Sequence, residues 1–168
     1  MDSFDTALLI LRLWLGAVMT AHGVNHARSI EGTASWFASK GFRQARLNAR
    51  GSAFGEIAIG LGLATGLLTA PAAAGLIATM TVAYGAIHRF AGFFVFKRPD
   101  EGWEYVATLA LAALVVATLG PGAASLDAAF GLDAPLSGWT GFGIAVAGVA
   151  VGVGQLAAFW RHPVEEVS

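Results

Sequence analysis

The sequence predicts an all-α polytopic membrane protein, in which a four-helix transmembrane bundle is followed by a fifth, C-terminal transmembrane helix. Three observations lead to this fold class. The 168 residues are 56% hydrophobic and only 12% charged, and their mean hydropathy is +0.65. Long apolar segments recur along the chain, separated by short polar loops. Finally, Glu56 and Glu104 lie just inside two of these segments, where an unpaired carboxylate is costly.

Five apolar segments approach the length of a membrane span, because a hydrocarbon core of roughly 30 Å needs about 20 residues of helix. These segments cover residues 6–25, 53–69, 71–88, 103–119 and 137–160. So few residues separate the second and third segments, near Ala70 and Pro71, that we expect an antiparallel hairpin. We divide the chain into a bundle at 1–127 and, at 128–168, an outer loop, the fifth helix and a short cytoplasmic tail.

Basic residues are concentrated in the loops after the first and third segments. These residues are Arg28, Lys40, Arg43, Arg46 and Arg50 in the first of these loops and Arg89, Lys97 and Arg98 in the second. Cytoplasmic loops carry such an excess, whereas the N-terminus and the region around Asp127 contain no Lys or Arg. The predicted orientation is therefore N-terminus out and C-terminus in, in the cell inner (plasma) membrane. The acidic leader, with Asp2 and Asp5, predicts a retained helix rather than a signal peptide.

The composition excludes several classes of function. The chain has no cysteine, so it has neither a disulfide nor a thiolate metal site, and a redox role would require a cofactor. A formal net charge of -1 argues against nucleic-acid binding, which favours a basic surface.

The orientation places several ionisable side chains at one depth, near the cytoplasmic ends of the spans. These are His22, His26, Glu56, His88 and Glu104. For Glu56 we expect a buried partner such as His22 or His88. This layer either consists of boundary residues that bond to one another, or forms a site for protons, a quinone head group or a metal. No Glu-x-x-His or His-Glu-x-x-His motif is present, so we assign no metal site.

Arg12 lies near the opposite end of the first span, about 9 Å from its outer end at 1.5 Å per residue. Its guanidinium either extends outward to lipid phosphates or holds an anion, a helix C-terminus or a ligand carbonyl. Asp127, in the outer loop, is its best candidate partner.

The fifth span and the first basic loop indicate contacts beyond the bundle. The span is rich in Gly, Ala and Val, and Gly148 and Gly152 have the spacing that lets helices approach closely. We expect it to pack against another helix and to join a partner subunit. The loop at 27–50 forms an amphipathic interfacial helix or serves only to set the topology. Residues 90–96 form an interfacial or re-entrant piece or extend the third span.

The order of these residues resembles the DoxX family over about residues 6–127. The resemblance is carried by Arg12, His22-Gly23, Gly41, Glu56, the run Gly60-Leu-Gly-Leu-Ala-Thr-Gly66, Glu104, Gly120-Pro-Gly122 and Ser125-Leu-Asp127. It implies a small four-helix membrane protein of a family in which some members are associated with quinone-linked oxidation of sulfur compounds. The chain departs from the family pattern at Asn25 and His26, where a lysine is common, and at Ala123 and Ala124, where a basic residue often stands.

From these observations we expect an accessory membrane subunit, rather than a stand-alone enzyme, of a quinone-linked redox complex. The bundle would hold a quinone or a lipid, and the glutamates and histidines would handle protons. The expected partners are membrane lipid and a larger membrane-protein complex. Two alternatives remain open, a non-catalytic scaffold subunit and a small-solute or ion conduit, although five short spans without an inverted repeat provide little material for alternating access.

Overall fold

The computed structural model describes residues 1–96 and 101–163, and these residues form an all-α fold. Its helices are α1 (Ser3–Arg28), α2 (Ile30–Ser39), α3 (Ala45–Thr65), α4 (Thr69–Ala86), a short 3₁₀-helix (His88–Phe90), α5 (Glu104–Leu119), α6 (Leu126–Ala129) and α7 (Gly138–Phe159). No strand occurs in the described ranges, where the β-type pairing is one isolated bridge between Phe42 and Trp160. The all-α prediction is confirmed. Lys97, Arg98 and Asp100, near the predicted cytoplasmic turn, lie outside the described residues.

Two of the described helices, α1 and α7, are long and apolar enough to cross a membrane. Helix α5 is apolar but has only 16 residues. Each of the five predicted segments overlaps one of the helices α1, α3, α4, α5 and α7. The four-plus-one transmembrane arrangement stays a prediction.

Close backbone contact joins α1 to α3. A methyl group built on Gly16 would lie 2.7 Å from the carbonyl oxygen of Gly60, and one on Gly23 would lie 2.6 Å from that of Ala53. Only glycine permits this approach, which brings the polar residues of α1 against α3. This contact therefore positions both sides of the candidate site.

The hairpin between α3 and α4 turns at residues 66–68, slightly before the expected joint at Ala70 and Pro71. Gly66 ends α3 in the left-handed conformation, with φ of 67°, and Leu68 precedes α4 with φ of 49°. Pro71 instead occupies the first turn of α4, where its missing N–H leaves no helical hydrogen bond unmade. The expected short connection between the second and third segments is therefore present, two residues before the expected position.

Helix α7 packs against α4, and its first turn packs against α5. Gly148 lies against the carbonyl of Ala74, Gly152 lies against that of Ala78, and Gly141 lies against that of Ala117. Gly141, Gly148 and Gly152 therefore lie on the inner face of α7. Much of its outer face is left exposed, and only 17% of its most apolar 18-residue stretch is buried.

The loop after α1 folds into α2, which covers the end of the bundle near His26. Phe37 of α2 stacks on Phe42 with ring centroids 5.0 Å apart. The chain beyond α7 returns to this loop: the amide of Arg43 donates to Phe159 O at 2.6 Å, and that of Arg161 to Gly41 O at 3.0 Å. The indole of Trp160 adds a hydrogen bond to Lys40 O at 2.8 Å.

Residues 90–96 leave the helical path soon after α4, so they do not extend the third predicted span. They turn back onto the start of α5, where the amides of Trp103 and Glu104 donate to the carbonyls of Gly92 and Phe93 at 3.0 Å each.

Candidate functional site

A cavity of about 190 Å³ opens among α1, α2, α3, α4 and α5, at the end of the bundle covered by α2. Most of its wall is apolar and includes Met19, Met80, Trp36 and Phe37. Its polar lining residues are His22, His26, Ser52, Glu56, Thr79, His88 and Tyr105. An apolar slot with a few convergent polar groups has the general composition of a small-molecule site.

Glu56 lies at the centre of this polar wall and is only 4% exposed. Its Oε1 accepts a hydrogen bond from the hydroxyl of Ser52, one helical turn earlier on α3. Its Oε2 is buried without a hydrogen-bond partner, and the nearest cation-forming group is His26 Nε2, at 3.8 Å. A buried polar atom left unpaired is costly, so this oxygen is available to a ligand.

His22 and Tyr105 form a second polar pair in the cavity. The phenol oxygen of Tyr105 lies 3.0 Å from His22 Nε2, and the two rings stack with centroids 6.3 Å apart. His26 follows His22 by one helical turn, on the same face of α1, and its ring meets the edge of Phe37. Three polar side chains from two helices are thus held by ring contacts.

The cavity includes four of the five residues that the sequence placed in the cytoplasmic layer. His22, His26, Glu56 and His88 line it, and His88 Nδ1 also lies 2.7 Å from the carbonyl oxygen of Glu101. Glu104 does not line it. It is the first residue of α5, and its backbone amide is bonded to Phe93 O.

Sequence reasoning missed two side chains that the cavity uses, Ser52 and Tyr105. Ser52 precedes Glu56 by four residues, a spacing that places both on one helix face, so this signal was available. Tyr105 is adjacent to Glu104, and a shift of one residue turns a side chain by about 100° around a helix. The sequence did not fix where α5 begins, and the choice between these neighbours depends on that.

A second cavity, of about 230 Å³, lies on the other side of Ser52 and Glu56, among α3, α4 and α7. Gly51 and Gly55 form part of its wall, and a methyl group on either would meet nothing within 4 Å. Gln155 of α7 also lines it. The two cavities share the Ser52–Glu56 wall, so a group bound in one lies next to the other.

Arg12 belongs to a separate cluster, about 15 Å along α1 from His22 at 1.5 Å per residue. It is 0% exposed, so it does not extend to the lipid surface. Its Nη1 donates to Leu63 O at 3.4 Å and its Nη2 to Ala124 O at 2.6 Å. Arg12 therefore holds the C-terminal end of α3, which is one of the roles that the sequence allowed.

Asp127 is also completely buried and shares this cluster. Its two carboxylate oxygens accept from the amides of Leu68 at 2.7 Å and Thr69 at 2.8 Å, which caps the N-terminus of α4. The amide of Asp127 in turn donates to Gly66 O at 2.8 Å. Within the described ranges Arg12 and Asp127 make no direct hydrogen bond, and the backbone of the α3–α4 turn connects them.

The described part of the chain contains no group of three His, Asp or Glu side chains placed to hold a metal ion.

Comparison with known protein families gives one match. The DoxX family model matches residues 7–89, which run from α1 through α4 to the 3₁₀-helix. This confirms the resemblance found in the sequence, although the matched segment is shorter than residues 6–127. Neither the curated proteins nor the solved structures include a significant match.

Proposed function

Residues 7–89 belong to the DoxX family of membrane proteins, and from that premise we propose that the chain is an accessory membrane subunit that binds the ring of a quinone. In this proposal α1, α3, α4, α5 and α7 cross the inner membrane, with the N-terminus outside. Residues 1–127 form the four-helix bundle, and residues 128–168 add the outer loop, the fifth helix and a cytoplasmic tail.

One observation carries the proposal: a buried carboxylate oxygen of Glu56 without a hydrogen-bond partner borders a largely apolar cavity. Across the same cavity, His22 and Tyr105 offer further hydrogen-bonding groups. A ligand that fits has an apolar body and oxygen atoms at its edge. This is the chemistry of a quinone head group. In its oxidised form the carbonyl oxygens would accept hydrogen bonds from His22 or Tyr105, and in its reduced quinol form a hydroxyl would donate to the Glu56 oxygen that has no hydrogen-bond partner.

The size of the cavity agrees with a single ring. An apolar cavity of about 150 Å³ is large enough to take up benzene, and the cavity here measures about 190 Å³. A bound quinone would supply electron acceptance, with the electrons coming from a redox partner protein. The chain itself would orient the ring between Met19 and Met80 and exchange protons through His22, His26 and Glu56.

Trp36 lines the cavity, so its fluorescence provides a direct test. Titration of the purified protein with a short-chain benzoquinone is expected to quench tryptophan emission to a saturating level. Trp36→Phe should remove most of the saturable quenching. Trp139→Phe should retain it, because Trp139 lies on α7, is 85% exposed and does not line the cavity.

Substitutions in the polar wall test the assigned contacts. Glu56→Leu and His22→Phe are each expected to weaken binding about tenfold or more, the cost of one or two lost hydrogen bonds to a desolvated group. Glu104→Gln serves as the matched control, since Glu104 lies outside the cavity. Quenching that rises linearly with concentration and is equal in Trp36→Phe would refute the proposal.

The exposed face of α7 favours a second candidate function, a scaffold subunit. Val146, Val149, Val151 and Val153 are each more than two-fifths exposed, at 44, 44, 63 and 53%, and form an apolar surface for lipid or another membrane helix. Purification of a stable complex that survives Glu56→Leu, together with no quinone binding, would favour this candidate.

A further inference from the structure

A lateral groove of about 540 Å³ lies among α4, α5 and α7, on the outside of the bundle. Thr81, Tyr84 and Gly85 of α4 line its floor, α5 forms one wall and α7 the other. The α7 wall consists of Val149, Val153 and Leu156. From Leu156 to Val149 the groove extends about 10 Å along the helix axis.

Small side chains keep the groove open. Ala107 and Ala110 of α5 line it, whereas α5 and α7 are in close contact further along, where Gly141 lies against the Ala117 carbonyl. The volume lies within the range of roughly 300–1,000 Å³ that is typical of ligand sites, and nearly all of the lining is apolar. The groove is therefore suited to a flexible hydrocarbon chain.

The mouth of the groove carries a positive charge. Arg89 lines it and is exposed, and its guanidinium lies 4.6 Å from the ring centre of Phe90 and 5.4 Å from that of Trp160. These cation–π contacts fix its position, but Arg89 makes no ion pair with any residue in the described ranges. Trp103 and Tyr84 meet edge to face beside it, with centroids 6.1 Å apart.

We infer that this groove binds an anionic phospholipid, with the phosphate at Arg89 and an acyl chain between α5 and α7. Charge complementarity identifies the ligand: an apolar groove ending at an exposed arginine favours a molecule with a hydrocarbon chain and an anionic head. Arg89 lies on the predicted cytoplasmic side, where basic pockets between helices bind anionic lipid head groups. Trp103 and Tyr84 have the character of side chains that lie at the head-group level.

This site is separate from the proposed quinone cavity. Met80 and Val106 line both, but none of the polar groups of the cavity lines the groove. The groove also depends on α5 and α7, which lie outside the matched DoxX segment. The inference therefore does not depend on quinone binding, and each proposal can fail without the other.

The test compares two lipids with the same acyl chains. Phosphatidylglycerol or phosphatidylcholine is added to delipidated protein in detergent, and retained lipid is measured by native mass spectrometry together with the melting temperature. Wild-type protein is expected to retain phosphatidylglycerol preferentially and to melt at a higher temperature with it. Arg89→Gln should reduce the phosphatidylglycerol affinity about fivefold, the contribution of one basic residue at an anionic lipid surface, and abolish the preference.

Two further variants make the test specific. Arg50→Gln removes an exposed arginine of α3 that does not line the groove, and it should leave the preference unchanged. Ala107→Phe fills the groove without changing the charge and should reduce retention of both lipids. Equal retention of the two lipids by wild-type protein, an equal loss in Arg50→Gln, or full retention in Ala107→Phe would each overturn the inference.

Discussion

Arg12 and Glu56 are both ionisable side chains buried in an apolar bundle, yet their surroundings differ. Two of the three Arg12 nitrogens donate to carbonyls at the ends of distant segments, and none of the three cavities described above borders Arg12. Glu56 has one oxygen bonded to Ser52 of its own helix, and the other, 3.8 Å from His26 Nε2, has no hydrogen-bond partner beside a cavity. A buried polar group with backbone partners stabilises the fold, whereas a buried oxygen without a hydrogen-bond partner next to a cavity is available to a ligand.

The largest expected effect comes from Arg12→Leu. It would leave Leu63 O and Ala124 O without their donors and would remove the positive charge near buried Asp127. Breaking a buried charged contact on one side costs about 3–5 kcal/mol. We expect a melting temperature well below that of wild type in the same detergent, with Arg50→Gln as the control. Wild-type stability in Arg12→Leu would contradict the structural role of this cluster.

A smaller loss of stability is expected from Gly66→Ala. Gly66 has a positive φ of 67°, and a methyl group there would meet the Arg12 guanidinium and lie 2.5 Å from Ser125 Cβ. Left-handed strain of this kind costs about 1–3 kcal/mol, and the clash would also displace Arg12. Thermal unfolding should show the loss without a change in quinone affinity. Reduced quinone binding by a folded Gly66→Ala protein would show that the two ends of the bundle are coupled.

Glu56→Leu is the counterpart of Arg12→Leu at the other end of the bundle, since each replaces a buried ionisable side chain with leucine. It replaces an incompletely bonded carboxylate with an apolar side chain of similar size, which is often neutral or stabilising. Ser52 can then bond to the carbonyl of Asn48, one turn earlier. We expect a change in unfolding free energy of less than about 1 kcal/mol with loss of quinone binding. A destabilisation as large as that of Arg12→Leu would show that Glu56 is mainly structural.

Gly55→Leu should have the smallest effect on stability. The site is open, and leucine is a better helix former by up to about 1 kcal/mol. If the quinone ring occupies the first cavity, its tail would extend into the adjacent second cavity, which the new side chain would fill. A quinone with a long tail should therefore bind more weakly, while a short-chain quinone binds as before. Gly143→Leu, at an equally open position on α7, is the control. Equal affinity for both quinones in Gly55→Leu would show that the tail lies elsewhere.

The sequence predicted the helical fold and the polar layer because both depend on local composition. An apolar run shows where a helix lies, and a glutamate inside such a run is conspicuous at Glu56. The sequence pointed to Glu104, whereas Tyr105 lines the cavity. Which of the two side chains faces inward depends on the rotation of α5 about its axis, and that rotation is set by the fold of residues 90–96 and not by residues near Glu104. Similarly, the sequence placed Arg12 near an outer loop, but only the packed fold shows that its partners are carbonyls.

The hydrogen bonds between the end of α7 and the loop after α2 join the last described helix to the segment that covers the cavity. Phe159 and Arg161 pair with Arg43 and Gly41, in the loop that carries α2 and Phe42 over the cavity. During synthesis α7 emerges after α1 to α6, because N-terminal parts of a chain form first. The loop that covers the cavity would thus be held in place only after α7 has been synthesised, so that a ligand would be retained late in the folding of the bundle.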